Sequence, residues 1–348
     1  MNTYSITKAM IESAVDHGIR SMEEDPGRSI RRLCDLGKQF SKNRFQNDVF
    51  DVMQEVLSNE NSSYYDLVDN TLRNVDHSAI RIFGMGFGYS SWVYGGRIIR
   101  RLEQAEGIAL PLTPILRYQP GLSDGTSPED IARLIHDGME LGIYSWFIRE
   151  VGPAAESYEL IDIFRSYPDC SFVYLRPTGR LTAAQVQMLR QCRNLMVALP
   201  STDLETALTA LLLRDQKILF SISSPYGKNT GRLDFETSMR HVIGTEAPIF
   251  LPVAEDGTPQ EDIDASEKLC YQSRLDQKYP TCIIDFYGDT AGLTNRIAGH
   301  RELLEISEDR RVLRPFAAAG RRFPLELPLL EALRQVMPAL DASLLTEA

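Results

Sequence analysis

Three arginines stand at or near the ends of short apolar runs: Arg117 in LPLTPILRY, Arg149 in IYSWFIR and Arg176 in SFVYLR. A guanidinium presents a planar fork of N–H donors that matches the paired oxygens of a carboxylate or phosphate. Repeated at successive strand ends, such arginines suit the acidic group of a small molecule or peptide. Acidic residues follow the same pattern. Glu150 comes directly after Arg149, Glu255 follows APIFLPV, and Asp285 lies in CIIDFYGD. Glu150 and Asp285 are candidates for an acid–base pair, with His300 as a third catalytic candidate. Tyr118, Thr178, Ser221, Ser223 and Tyr226 complete the polar strand-end set. A second reading stands beside this one: the arginines pair with Glu150, Glu255 or Asp285 as structural ion pairs.

Other chemistry has less support. The five histidines (His17, His77, His136, His241, His300) are dispersed, and no two cysteines have metal-ligand spacing, so no metal site is expected. No nucleophile-elbow motif marks a serine hydrolase. Gly84, Gly86 and Gly88 lack a clear preceding strand and the dinucleotide spacing, so close helix packing is expected there instead of a phosphate loop.

The elements that would position these residues can be read from periodicity. Residues 1–106 show helical spacing, with DPGRSIRRL as one helix start, DVFDVMQEVLSNEN and YYDLVDNTLRNV as further helices, and the polar stretch 58–63 as a loop. From about 107 six apolar runs (110–118, 143–149, 171–176, 194–200, 217–223, 247–253) alternate with amphipathic segments such as SPEDIARLIHDGMEL, TAAQVQMLRQC and DLETALTALLLRD. That alternation predicts βα units around a parallel sheet. The loop Gly227–Gly231 is expected at the ligand-bearing end of the strands. RELLEIS and RVLRPFA flank Glu308–Asp309 and predict a hairpin. LPLLEALRQVMPAL predicts a last short helix, ended by Pro338.

Composition narrows the class. The 348 residues are 43% hydrophobic and 24% charged, enough for a sizeable core. A net charge of −11 argues against a general nucleic-acid surface, although Arg310, Arg311, Arg314, Arg321 and Arg322 cluster near one end. The odd count of five cysteines argues against a disulfide framework and for reduced thiols in the cytoplasm. No signal-peptide pattern and no uninterrupted apolar run of membrane-spanning length is present, so no membrane partner is expected.

Several segments in a shared order carry a family resemblance. They are DPGRSIRRL, GFGYSSWVYGG, EDIARLIHDGMELGIY, SFVYLRPTGRLT and CIIDFYGD followed by RIAGHRELLEISEDRRV. In them the chain resembles the radical S-adenosylmethionine (SAM) enzymes, specifically a subgroup with an N-terminal helical domain and a C-terminal extension that binds an auxiliary cluster. The resemblance implies a partial barrel, three cysteines after strand one that ligate a four-iron cluster, and SAM on the fourth iron. The sequence departs from that pattern where function lies. The stretch from Leu110 through Pro153 has no cysteine, and the nearest are Cys34 and Cys170. The family's Gly-Gly-Glu-Pro motif falls on Glu150, Val151, Gly152 and Pro153, matching position for position only at Pro153. Gly152 is carried forward as a ligand-binding candidate from that motif. Arg296 and Phe316 stand where the extension's cysteines would be.

The expectation is therefore an α/β protein: an N-terminal helical domain (1–106), a partial (β/α)6 TIM-like barrel (107–280) and a small α+β extension (281–348). The function expected is that of a radical-SAM-like pseudoenzyme without its iron–sulfur cluster. It would bind a small molecule or peptide in the barrel cavity, or act as an accessory to an active homologous radical SAM enzyme. The alternative is a cluster-independent enzyme using acid–base residues of the cavity. No four-iron cluster is expected, and SAM would bind weakly.

Overall fold

The computed structural model describes residues 3–22, 26–40, 51, 53–153, 158–314 and 321–341. The expectations attached to residues 48–50 and to Pro315 and Phe316 lie outside these. The chain is an α/β protein of mainly parallel strands alternating with helices, as the periodicity predicts. The six predicted apolar runs become β1 (Ile115–Tyr118), β2 (Ser145–Glu150), β3 (Ser171–Leu175), β4 (Leu195–Pro200), β5 (Phe220–Tyr226) and β6 (Ile249–Ala254). Three short strands follow: β7 (Cys282–Ile283), β8 (Glu305–Ile306) and β9 (Val312–Arg314). No helix among the described residues is long and apolar enough to cross a membrane. The chain divides into two compact units, Met1–Arg81 with Ser201–Asp289, and Ile82–Pro200 with Thr290–Ala348.

In the second unit the strand order is β4-β3-β2-β1-β8-β9. All neighbours are parallel except the β8–β9 hairpin, which turns at Glu308–Arg310 as its sequence predicts. The helices between strands start where their capping chemistry says they should. Ser127 and Asp130 form a capping box ahead of helix Pro128–Glu140, with proline at the first helical position. Thr182 and Gln185 do the same for helix Ala183–Gln191. Helix Pro128–Glu140 buries Ile131, Leu134, Ile135 and Gly138, an i, i+3, i+4, i+7 stripe. Gly138 makes room for the Trp146 ring, since a Cβ there would sit 2.5 Å from Trp146 Cζ2.

That contact assigns the two faces of the sheet. Side chains alternate along a strand, so Trp146, Ile148 and Glu150 share the helix-covered face. On β3 the same face carries Phe172 and Tyr174, whose rings meet Phe164 of helix Glu159–Arg165 at 4.5 and 5.8 Å. The opposite face carries Ser145, Phe147 and Arg149, and the register sets Arg117 of β1 beside Arg149. Part of this face is covered by a ten-residue π-helix, Gly86–Gly95. The sequence pattern predicts a helix there and not its winding. Phe87 of the π-helix contacts the Phe147 ring at 6.2 Å, and Ser91, Thr113 and Ser145 join their hydroxyls at 2.8 and 2.6 Å. Gly86 and Gly95 allow the approach. A Cβ on Gly86 would lie 2.0 Å from Ser171 Oγ, and one on Gly95 would lie 2.1 Å from the Gly142 carbonyl. Of the three glycines for which close packing is expected, Gly86 alone serves it; a Cβ on Gly84 or Gly88 would meet nothing within 4 Å.

In the first unit β5, β6 and β7 follow in the order β7-β6-β5, all parallel. Helices Phe235–Thr245 and Gln260–Asp276 supply its outer layer, beside helix Thr206–Asp215. The helical segment up to Arg81 belongs to this unit. Asp76 N–H donates to Lys217 O at 2.9 Å, and Ser63 Oγ donates to Lys278 O at 3.0 Å. Those bonds tie helix Tyr64–Asn74 and the turn after it to the loops that precede β5 and β7.

Candidate functional site

The chemistry of the second unit gathers around one carboxylate. Glu305 of β8 is 1% exposed and lies in register with Ile115 of β1, on the same face as Arg117 and Arg149. Arg117 Nε donates to Glu305 Oε1 at 2.8 Å and Arg149 Nη1 at 3.2 Å. Arg314 Nε of β9 lies 3.4 Å from Oε2. Three guanidinium groups from β1, β2 and β9 therefore converge on a single buried acid. On this face of β2 Ser145 is buried, while Phe147 and Arg149, nearer the strand end, are less buried than Ile148 and Glu150, so the cluster borders accessible space.

Glu150 and Arg176 sit on the other face. The Tyr174 hydroxyl hydrogen-bonds Glu150 Oε2, and Arg176 Nη1 lies 3.2 Å from the same oxygen. The Arg176 guanidinium also stacks over the Tyr174 ring at 5.6 Å. Both partners of this ion pair are nearly sealed from solvent, with side-chain exposures of 2% and 0%. Burial, with the Glu150 charge beside it, pushes the Tyr174 phenol well above its ordinary range. Tyr118 shares this helix-covered face and is raised for the same reason, burial first and nearby carboxylates second. The structural ion-pair reading thus describes Arg176, which takes Glu150. Arg117 and Arg149 instead take Glu305, a residue the sequence reading left inside a hairpin strand.

The other predicted residues fall into separate local networks. His300 Nε2 lies 2.7 Å from Glu103 Oε1, while its Nδ1 accepts from Glu302 N–H at 3.2 Å. With Nδ1 accepting, Nε2 carries the proton and donates to Glu103. Glu103 also accepts from Leu110 N–H at 2.8 Å, so this group joins helix Gly96–Glu106 to the chain entering β1. Thr178 Oγ1 accepts from Arg180 N–H at 3.1 Å in a local turn. Gly152 has φ +71 and packs against Gln119.

In the first unit Asp285 is fully buried. Its Oδ2 accepts from Tyr226 OH at 2.8 Å and Ser266 Oγ at 2.6 Å, and its Oδ1 accepts from Gly288 N–H at 2.7 Å. Ser266 belongs to helix Gln260–Asp276, which puts Tyr226 and Asp285 on the helix-covered side of β5. Ser221 and Ser223 alternate to the opposite side. Glu255 Oε2 accepts from Asn229 and Thr230 N–H at 2.6 and 3.1 Å, and Gly227 and Gly231 bridge each other across the loop. The polar loop after β5 is folded onto Glu255.

Burial raises Asp285 above its ordinary 3.8, and its three hydrogen bonds oppose the shift without cancelling it. Its sign in stability is fixed. The folded chain holds this proton more tightly than the unfolded chain. The group's favourable contribution is complete below 3.8 and is lost as pH rises through the folded value. Asp285→Asn has no such titration. Urea melts from pH 4 to pH 7 should show wild type losing stability relative to Asp285→Asn as pH rises. A gap that stays constant over that window would show that Asp285 is not held protonated by burial.

The loop after β1, residues 119–127, is where the resemblance would place iron ligands. Its side chains offer Gln119, Ser123, Asp124, Thr126 and Ser127, and no thiolate. It is occupied from the other side by the β8–β9 hairpin. Arg310 donates from Nε and Nη2 to the Gly125 carbonyl at 3.0 and 2.6 Å, and Glu308 O would be 3.0 Å from a Cβ on Gly125. Cys170 and Cys192 are buried elsewhere, and burial pushes the Cys192 thiol up to about 12, so it is protonated at neutral pH. These residues do not fit a thiolate-ligated four-iron cluster. Among the described residues, no three His, Cys, Asp or Glu side chains gather to hold a metal ion.

No protein-family model matches the chain. No curated protein matches it in sequence either. Among solved structures, that of Streptococcus suis SuiB bound to the precursor peptide SuiA has 11% identity and a TM-score of 0.49, over 71% of this chain and 69% of that one. SuiB bound to S-adenosylmethionine has 12% identity and a TM-score of 0.48, over 86% and 77%. The 3-dehydroquinate dehydratase from Geobacillus kaustophilus HTA426 has 13% identity and a TM-score of 0.38, over 64% and 89%.

Proposed function

We propose that this chain is a radical-SAM-like protein that works without an iron–sulfur cluster and binds an anionic ligand through Arg117, Arg149 and Arg314. The ligand class is a small molecule or peptide bearing a carboxylate or phosphate. The observation that carries this reading is the convergence of three guanidinium groups on the single buried Glu305, on the less covered face of β2. Arginine forks recognise such oxyanions in pairs, and a half-buried setting strengthens each charge-assisted bond. In this reading Glu305 holds the arginines in place and competes with the ligand for them. Glu150, Asp285 and His300 take no part in catalysis, because each is buried in a local network. The protein is then a binding or accessory component, and an active cysteine-bearing homologue is a proposed partner.

The test has two parts. Anaerobic reconstitution with iron and sulfide should leave the purified chain without stoichiometric iron, and calorimetric titration with SAM should give weak or no heat. Titration with inorganic phosphate and with a carboxylate-terminated peptide should show saturable binding of at least one. Arg149→Ala should weaken that binding at least tenfold, the loss of about 1.4 kcal/mol expected for one charge-assisted hydrogen bond. The double variant Glu150→Gln with Arg176→Met, on the other face, should leave it unchanged. Stoichiometric iron together with SAM binding refutes the cluster-free reading. Binding that is indifferent to Arg149 refutes the site.

A further inference from the structure

The two half-buried positions of β2 differ in chemistry, and their order bears on what kind of molecule fits behind the anion. All the residues concerned belong to the second unit. The face of β2 that carries Arg149 reads Ser145, Phe147, Arg149 along the strand. Ser145 is fully buried, and its hydroxyl is tied to those of Ser91 and Thr113, so it closes the inner end. Arg149 stands at the outer end, beside Glu305. Phe147 lies between them, two residues and about 7 Å from Arg149 along the strand.

The register supplies the surroundings of Phe147. Level with it are Ile115 on β1, Val173 on β3 and Met196 on β4. None of these four side chains offers a strong hydrogen-bonding group, so a polar ligand atom at that depth would lose its hydration without replacement. Ile115, Val173 and Met196 are buried, and Phe147 is the member of the layer that is not. What a ligand meets there is a ring. A second half-buried ring, Phe87, leans on it with centroids 6.2 Å apart and planes at 44°, and Trp92 meets Phe87 edge-on at 6.2 Å. Tilted rings of this kind accept a further ring edge-to-face or offset, which is worth more than the same apolar area of aliphatic chain. We infer that the ligand of this site is an aryl acid, a molecule whose phosphate or carboxylate is joined within a few bonds to an aromatic ring. The acid lies on Arg149 and the ring on Phe147. This inference rests on the anion site proposed above and adds its apolar half. A simple inorganic anion fills only the outer half.

The test is calorimetric titration of the full chain with inorganic phosphate, phenyl phosphate and n-butyl phosphate at pH 8, where each carries about two charges. Wild type should bind phenyl phosphate about tenfold or more tighter than inorganic phosphate, and tighter than n-butyl phosphate. Phe147→Leu should shrink the advantage of phenyl over inorganic phosphate to below about threefold. Arg149→Ala should weaken both ligands alike and keep their ratio. The comparison of the three ligands on wild type stands by itself if Phe147→Leu does not fold. Phenyl phosphate that binds no tighter than inorganic phosphate overturns the inference and leaves the anion site standing. So does n-butyl phosphate that binds as tightly as phenyl phosphate, or an advantage for the ring that survives Phe147→Leu. Saturable binding of none of the three overturns this inference and the anion site together.

Discussion

Replacing Glu305 by glutamine should lower the free energy of unfolding by about 3 kcal/mol or more, although the side chain keeps its size and shape. The cost comes from the guanidinium groups left behind. Arg117 is 8% exposed at its side chain and Arg314 15%, and both lose the one carboxylate that the β8 strand places among them. Removing one partner of a buried ion pair typically costs about 3–5 kcal/mol, because the remaining charge is neither solvated nor matched. Urea denaturation at pH 7 measures the change. A loss below about 1 kcal/mol, the level of an exposed pair, would mean that Glu305 is not what neutralises the cluster. The same variant bears on binding. With its internal competitor neutral, the arginine set should hold inorganic phosphate more tightly than wild type does, while the fold itself is weaker.

Arg176→Met should be comparably damaging, for a different reason. Glu150 then keeps the Tyr174 hydroxyl but loses its guanidinium, in a site with 0% side-chain exposure. The expected loss is again about 3–5 kcal/mol. The double variant Glu150→Gln with Arg176→Met removes both charges, and it should recover most of the loss. Neighbours in one ion pair are not additive, and a double-mutant cycle reads the coupling directly. If the double variant is as unstable as the two single losses added together, the pair is not coupled and the geometry around Glu150 has been misread.

Much of this architecture is legible in the sequence because two periodicities separate cleanly. LPLTPILRY, SFVYLR and NLMVALP are runs that only a strand buried on both faces tolerates, and each became one. Ser127–Asp130 and Thr182–Gln185 announce helix starts by spacing alone. What the sequence leaves hidden depends on side-chain direction. Arg149 and Glu150 are adjacent in the chain and point to opposite faces, so a list of polar strand ends mixes two environments. Glu305 lies in LLEIS, an apolar run whose single carboxyl reads as the solvent side of a hairpin. Only the parallel pairing of β8 with β1 turns it inward to Arg117. The π-helical winding of Gly86–Gly95 has no periodic signature distinct from an α-helix over so short a span. The helix in DLETALTALLLRD is equally visible, but its leucines read as the buried stripe until Thr206, Thr209 and Ala210 are seen facing inward.

The clasp between Arg310 and Gly125 sets a limit on how this chain could be re-engineered. Grafting three cysteines between Gln119 and Ser127 would supply sulfur but no vacancy. The carbonyl that turns that segment is already gripped by a cation whose backbone, at φ +67, is bent to deliver it. Any attempt to build such a centre in this loop would therefore have to begin at the hairpin that holds Arg310, some 185 residues along the chain.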